Sequence, residues 1–188
     1  HLDNLIRYHR LDEDHSRRVS NLAVTLYDQL QGLHGMGSSA RRVLLVAGVL
    51  HEIGQVISVE SLEKHTLYLM LNLPLSGLTQ RERVLAAYLA ASHDEAYLPD
   101  FDEYVARGPL KPEDREIVNK LIPILQIIHS LDRSHTGVVT GVQTQMREET
   151  CEILVVSKTN AELEIKDARR RAKEFQRVYG RELVINPR

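Results

Sequence analysis

Along most of the chain, apolar residues recur at the three-and-four spacing of helices; only after residue 135 does the period change. Over residues 12–34, Val19, Leu22, Ala23, Leu26, Leu30 and Leu33 form one buried stripe, with His15 a turn ahead of Val19 on the same face. Gly35, Gly37, Ser38 and Ser39 predict a turn, with a serine to cap a central helix. That helix is an apolar run, Val43-Leu44-Leu45-Val46-Ala47-Gly48-Val49-Leu50, which delivers His51-Glu52 and stops at Gly54. It is too short to span a membrane and reads as a helix buried on most of its sides. A third helix carries Leu62, Leu69 and Leu73 with His65 between them, and Pro74 and Gly77 end it. Thr79 and Glu82 match a capping box, opening a helix whose stripe of Leu85 and Leu89 closes on His93. Residues 94–111, with Pro99, Gly108 and Pro109, predict a loop holding a short helical turn. From Pro112 and Glu113 a long helix runs through Ile117, Leu121, Leu125 and Ile128 to Asp132, with Pro123 expected to kink or break it.

Beyond His135 the runs Val138–Thr144 and Cys151–Val156, joined by a charged turn, predict strands. Residues 161–179 return to helix, and Leu183-Val184-Ile185 predict a last short strand. The fold expected is mainly α: a helical bundle over residues 1–135, followed by a small α+β unit over 136–188 with an antiparallel sheet and one helix.

Composition narrows the function more than the fold. The 188 residues carry a net charge of −2, which argues against a broad electrostatic footprint for DNA. The lone Cys151 forms no internal disulfide, which points to a cytoplasmic protein, and no segment is long and apolar enough to cross a membrane. Nine histidines are more than a chain of this size needs, so their positions matter. His1, His9 and His34 read as surface residues, His129 as core, and His135 as a group supporting Asp132. His15, His51, His65, His93 and Asp132 each replace an expected aliphatic residue on the inward stripe of a different helix, and Glu52 adds a second carboxylate. In a packed bundle these side chains converge. Imidazole and carboxylate together suit a divalent ion such as Mn, Fe, Ni, Zn or Mg.

The same residues carry a family resemblance. His15, Leu50-His51-Glu52-Ile53-Gly54, Lys64-His65, His93 and Leu131-Asp132-Arg133-Ser134-His135 resemble the HD superfamily of metal-dependent phosphohydrolases. Lys64-His65-Thr66-Leu67-Tyr68-Leu69 and Leu75-Ser76-Gly77-Leu78-Thr79 narrow it to the C-terminal HD-type domain of the exopolyphosphatase and guanosine pentaphosphate phosphatase family. The resemblance implies an HD-type bundle in which His15, His51, Glu52, His65, His93 and Asp132 ligate metal. It also implies that His51, Glu52 and Lys64 serve catalysis, and that Lys64, Arg18 and Arg133 bind phosphate. The expected partner is a phosphate-containing small molecule or polyphosphate, with a homodimer as a further expectation. Two departures stand out. Glu52 occupies the place of the superfamily's aspartate, and the family's actin-like phosphatase domain is not in this sequence. Two readings therefore compete: a metal-dependent phosphohydrolase acting on a phosphoanhydride or phosphate ester, and a non-catalytic module for polyphosphate binding or dimerisation.

Overall fold

Asp12 accepts a hydrogen bond from the His15 amide at 3.0 Å and so fixes where helix α2 (Glu13–Gln29) begins. This cap places His15 in the first turn, facing inward. The structure is a computed structural model that describes residues 2–188, so His1 lies outside the described residues. A short α1 (Leu2–Tyr8) precedes α2, and α3 (Gln31–His34) comes directly after it. The central apolar run forms α4 (Ser38–Leu50), with His51 as its C-cap and a 3-10 turn at Ile53–Val56.

Helices α2 and α4 cross very closely. A Cβ placed on Gly48 would lie 2.8 Å from the Ser20 Cα, and the Ser20 hydroxyl donates to the Leu45 carbonyl at 2.9 Å. This contact brings the start of α2 to the end of α4, and so His15 to His51. The turn after His51 is held just as tightly against α5 (Leu62–Asn72). A Cβ on Gly54 would meet the Thr66 amide nitrogen at 2.6 Å. The Thr66 hydroxyl accepts from the Gly54 N–H at 3.2 Å and donates to the His51 carbonyl at 3.3 Å.

The capping box at Thr79 and Glu82 is formed and opens α6 (Gln80–Ala91). The next loop contains α7 (Phe101–Arg107), and the long α8 (Asp114–Leu131) ends on Asp132 as its C-cap. Helix α8 continues through the buried Pro123, so the expected break does not occur. His34 also departs from expectation. It is buried, bonded to the Tyr27 carbonyl at 2.8 Å and accepting from the Met36 amide at 2.9 Å.

The C-terminal unit is α+β as expected, with two corrections. β1 (Val139–Met146) pairs antiparallel with β2 (Thr150–Ser157), but β3 (Glu182–Pro187) runs parallel to β2, opposing Leu183 to Cys151 and Ile185 to Ile153. The sheet is mixed because the chain crosses from β2 to β3 through helix, and such a crossover returns the strand in the same direction. That crossover is two helices rather than one, α9 (Glu162–Arg169) and α10 (Ala172–Tyr179). Arg171, at the break between them, donates to the Asp94 carbonyl at 2.6 Å. Val139, Ile153 and Phe175 share one continuous hydrophobic core with the helices. Among the described residues, no helix is long and apolar enough to cross a membrane.

Gly48→Ala tests the crossing. Forcing a methyl against backbone costs about 1–3 kcal/mol, and for a domain of this size each kcal/mol lowers Tm by roughly 2–4 °C. Thermal unfolding followed by circular dichroism should show that fall, and an unchanged Tm would mean that α2 and α4 are not held this close.

Candidate metal centre

Four side chains from three separate parts of the chain meet inside the bundle. His15, His51, Glu52 and His129 each offer one ligand atom, and these atoms all lie within 4.8 Å of one another. His15 and His51 have no exposed surface, and His129 is 6% exposed. Two of the rings are locked by their outer nitrogens. His51 Nδ1–H donates to the Gly48 carbonyl at 2.7 Å, within the last turn of α4. His15 Nδ1–H donates to Asp132 Oδ2 at 2.8 Å.

These partners settle the Nδ1 protons. A carbonyl and a carboxylate only accept, so both Nδ1 atoms carry hydrogen, and a ring without a second proton then presents a bare Nε2 lone pair. The two Nε2 atoms face one another at 3.1 Å. Two lone pairs at that distance repel unless a cation lies between or beside them, either an added proton or a metal ion. The donor set fits a divalent ion: imidazoles with Nδ1 anchored and Nε2 free, plus a carboxylate.

Asp132 lies on the other side of the His15 ring. Its Oδ2 also accepts from Arg18 Nε at 3.0 Å, and its Oδ1 accepts from the Gly137 amide at 3.1 Å. Arg18 continues to the His135 carbonyl at 3.0 Å. His135 has a left-handed backbone, φ 59°, and lays its ring flat on His15 with centroids 3.5 Å apart and planes 8° apart. Its Nδ1–H donates to Asp12 Oδ2 at 3.0 Å, and its Nε2 lies 3.5 Å from Glu52 Oε1. Glu52 Oε2 is 3.8 Å from His15 Nε2.

The other sequence candidates divide. His93 borders the cluster, its ring centroid 5.0 Å from that of His51 and 4.7 Å from that of His129, with Nδ1–H donating to the Ala90 carbonyl at 2.7 Å. His65 is half-buried on α5 and makes no hydrogen bond or ring contact with the cluster among the described residues. Lys64 is exposed in the first turn of α5, and among the described residues it makes no ion pair with the cluster. Arg133 is paired with Asp94 at 2.6 Å and with Asp167 at 2.9 Å. Two of the three cations expected to bind phosphate, Arg18 and Arg133, are thus already held by carboxylates. A cavity of about 420 Å³ adjoins His93, and its polar lining includes Ser61, Glu63, Asp94 and Glu95 but no lysine or arginine.

His129, expected from its sequence setting to be a core residue, is buried on α8 as expected and also joins the cluster. It is buried, and its Nδ1 has no hydrogen-bond partner. One signal was available: residues 129 and 132 stand three apart at the end of α8, so a group that faces Asp132 from a neighbouring helix is also near His129.

Fold and cluster together define a mainly α protein with an imidazole-rich centre competent for a metal ion. The chain belongs to the Ppx/GppA phosphatase family: residues 2–173 match the family's domain III. It is 32% identical over 103 residues to a guanosine-5'-triphosphate,3'-diphosphate pyrophosphatase of Aeromonas hydrophila subsp. hydrophila, covering 54% of this chain and 21% of that protein. The protein of the same name from Aeromonas salmonicida is 31% identical over 103 residues, with the same coverage. The alignment thus spans about a fifth of the length of these curated relatives.

Burial governs the electrostatics of the rings. It pushes His51 well below its ordinary value, helped by its neighbours His93, His129 and His15. It lowers His93 and brings His129 down to about 2. All three are therefore held in the neutral form that ligates metal. Below about pH 6.5 the unfolded chain protonates these imidazoles and the folded chain does not. Stability is therefore fully present above that value and is lost as pH falls. Each such ring contributes a slope of about 1.4 kcal/mol per pH unit. In chelator, urea unfolding of the wild type should weaken steeply from about pH 7 to about pH 5, and His129→Gln should remove about one proton's share of that slope. An equal slope in both proteins would show that His129 is not buried neutral.

Proposed function

We propose that this chain is a metal-dependent phosphohydrolase domain of the HD type, acting on a phosphoanhydride or phosphate ester. The observation that carries the reading is the pair of anchored imidazoles, His15 and His51, facing each other through bare Nε2 atoms 3.1 Å apart with Glu52 and His129 beside them. The name of the curated relatives, a pyrophosphatase of guanosine-5'-triphosphate,3'-diphosphate, supports a phosphoanhydride as the bond class.

In this reading His15, His51 and Glu52 hold the ion and His93 borders it. A divalent ion in such a site supplies an activated water at neutral pH and neutralises charge on phosphoryl oxygens. The chain's own groups do the rest. Asp132 fixes the tautomer of His15 through Nδ1, and the Gly48 carbonyl does the same for His51. His135, held by Asp12, lies within 3.5 Å of Glu52 and restrains its carboxylate. Lys64, exposed on α5, is a candidate for meeting an incoming phosphate by side-chain reach, as a flexible point charge.

The second reading, a non-catalytic polyphosphate-binding or dimerisation module, draws on one observation. His15, Asp132, Arg18, His135 and Asp12 already satisfy one another, as a purely structural network would. Against it stand Arg18 and Arg133, which are neutralised by carboxylates, and a neighbouring cavity lined with Glu63, Asp94 and Glu95, a poor cradle for a polyanion.

Elemental analysis after incubation with divalent ions, paired with phosphate release from pyrophosphate, separates the two. The hydrolase reading expects a bound ion and ion-dependent release, both abolished by His51→Ala. Glu52→Asp should retain the ion, because it keeps the carboxylate. A protein that takes up no ion, yet binds polyphosphate equally well in wild type and His51→Ala, would establish the second reading instead.

A further inference from the structure

Asp132 and His129 make opposite claims on the centre. Asp132 has the charge expected of a metal ligand, but its carboxylate is spent. Three N–H donors hold it: His15 Nδ1 at 2.8 Å and Arg18 Nε at 3.0 Å on one oxygen, and the Gly137 amide at 3.1 Å on the other. It meets His15 at Nδ1, whereas the cluster forms at Nε2, on the opposite side of the ring. To ligate an ion at Nε2 it would have to abandon these partners while 1% exposed, leaving Arg18 Nε and the buried Gly137 amide without their acceptor. His129 has the converse situation. It lies among the four residues whose ligand atoms are mutually within 4.8 Å, and it is buried with its Nδ1 unpartnered. A buried imidazole nitrogen without a hydrogen bond is costly, and an ion bound at that nitrogen would remove the cost.

Resting on the metal-dependent reading above, we infer that His129 rather than Asp132 completes the ion's ligand set. The centre then has three imidazoles and one carboxylate, His15, His51, His129 and Glu52, and selects an ion of the zinc, nickel or iron class over magnesium. Asp132 becomes a positioning residue, acting on the ion only through the tautomer and orientation of His15. The ion preference comes from the donors: imidazole suits Zn, Fe and Ni, whereas Mg binds through oxygen.

The test is binding, read by competition with a chromophoric chelator for Zn²⁺ and by the visible spectrum of the Co²⁺-loaded protein. Wild type should take up one Zn²⁺ that a large excess of Mg²⁺ does not displace. His129→Gln should lose Zn²⁺ to the extent that His51→Ala does, and should alter the Co²⁺ bands. Asp132→Asn, which keeps an acceptor for His15, should still bind one ion, weakened by about 10–100-fold. His129→Gln binding like wild type, or Asp132→Asn losing the ion as completely as His51→Ala, overturns the inference and leaves the hydrolase reading standing. Wild type that binds no ion overturns both. Should His129→Gln unfold in a thermal scan, the ion preference of wild type decides, and equal affinity for Mg²⁺ and Zn²⁺ overturns the inference.

Discussion

The 3.1 Å approach of His15 Nε2 to His51 Nε2 is the contact on which the rest of this structure depends. Each ring is fixed at its far nitrogen by an acceptor that cannot release its proton demand, so the near nitrogens cannot satisfy one another as neutral groups. The fold nevertheless presses them together. The Asp12 cap sets the first turn of α2, Gly48 allows α4 to reach the Ser20 backbone, and Thr66 ties down the turn after His51. A glycine contact and two hydrogen-bonded turns thus bring two imidazoles face to face, where an added proton or a metal ion would relieve the lone-pair repulsion.

The helices were legible because their signals are local. The Thr79–Glu82 capping box, the Leu85–Leu89 stripe and the apolar run ending at His51 each involve residues within a turn or two of one another, and each forms as read. What the sequence hid depends on contacts across the chain. The direction of β3 is set by the crossover through α9 and α10, which strand propensity does not encode. Arg18 and Arg133 looked like free cations because Asp132, Asp94 and Asp167 are distant in sequence but adjacent in space. His34 looked like a surface residue because its acceptor, the Tyr27 carbonyl, becomes available only where α2 ends and α3 turns away. For His129 the surrounding isoleucines and leucines of α8 outweighed its spacing from Asp132, and a histidine on an apolar stripe does pack as core here as well as facing the cluster.

The C-terminal unit is tied into the neighbourhood of the centre. Arg171 reaches from the break between α9 and α10 to the carbonyl and carboxylate of Asp94, the residue after His93. Arg133, the residue after Asp132, joins the same Asp94 to Asp167 on α9. Exposed pairs of this kind are individually weak, worth about 0.2–1 kcal/mol, but Asp94 is shared by two arginines and Arg171 is 11% exposed. Geometry matters here more than energy: the links run to residues adjacent in sequence to His93 and Asp132, so displacing α9 or α10 would pull on the backbone that carries both.

Charge balance gives the departure at position 52 its physical sense. Asp132 is compensated by Arg18, and Asp12 is engaged by His135, so Glu52 is the one carboxylate in the four-residue cluster. Its oxygens lie 3.8 Å from His15 Nε2 and 3.5 Å from His135 Nε2, so the carboxylate spans from the cluster to the ring stacked above it. One methylene less would shorten that reach. Three imidazole ligands and a single carboxylate would leave a divalent ion with a residual positive charge, whereas two carboxylates would cancel it. In the proposed reading, a centre balanced in this way would hold an ion with nitrogen donors and keep charge to offer an anionic oxygen. The chemistry proposed here requires that combination, in a cavity whose nearby wall is otherwise acidic.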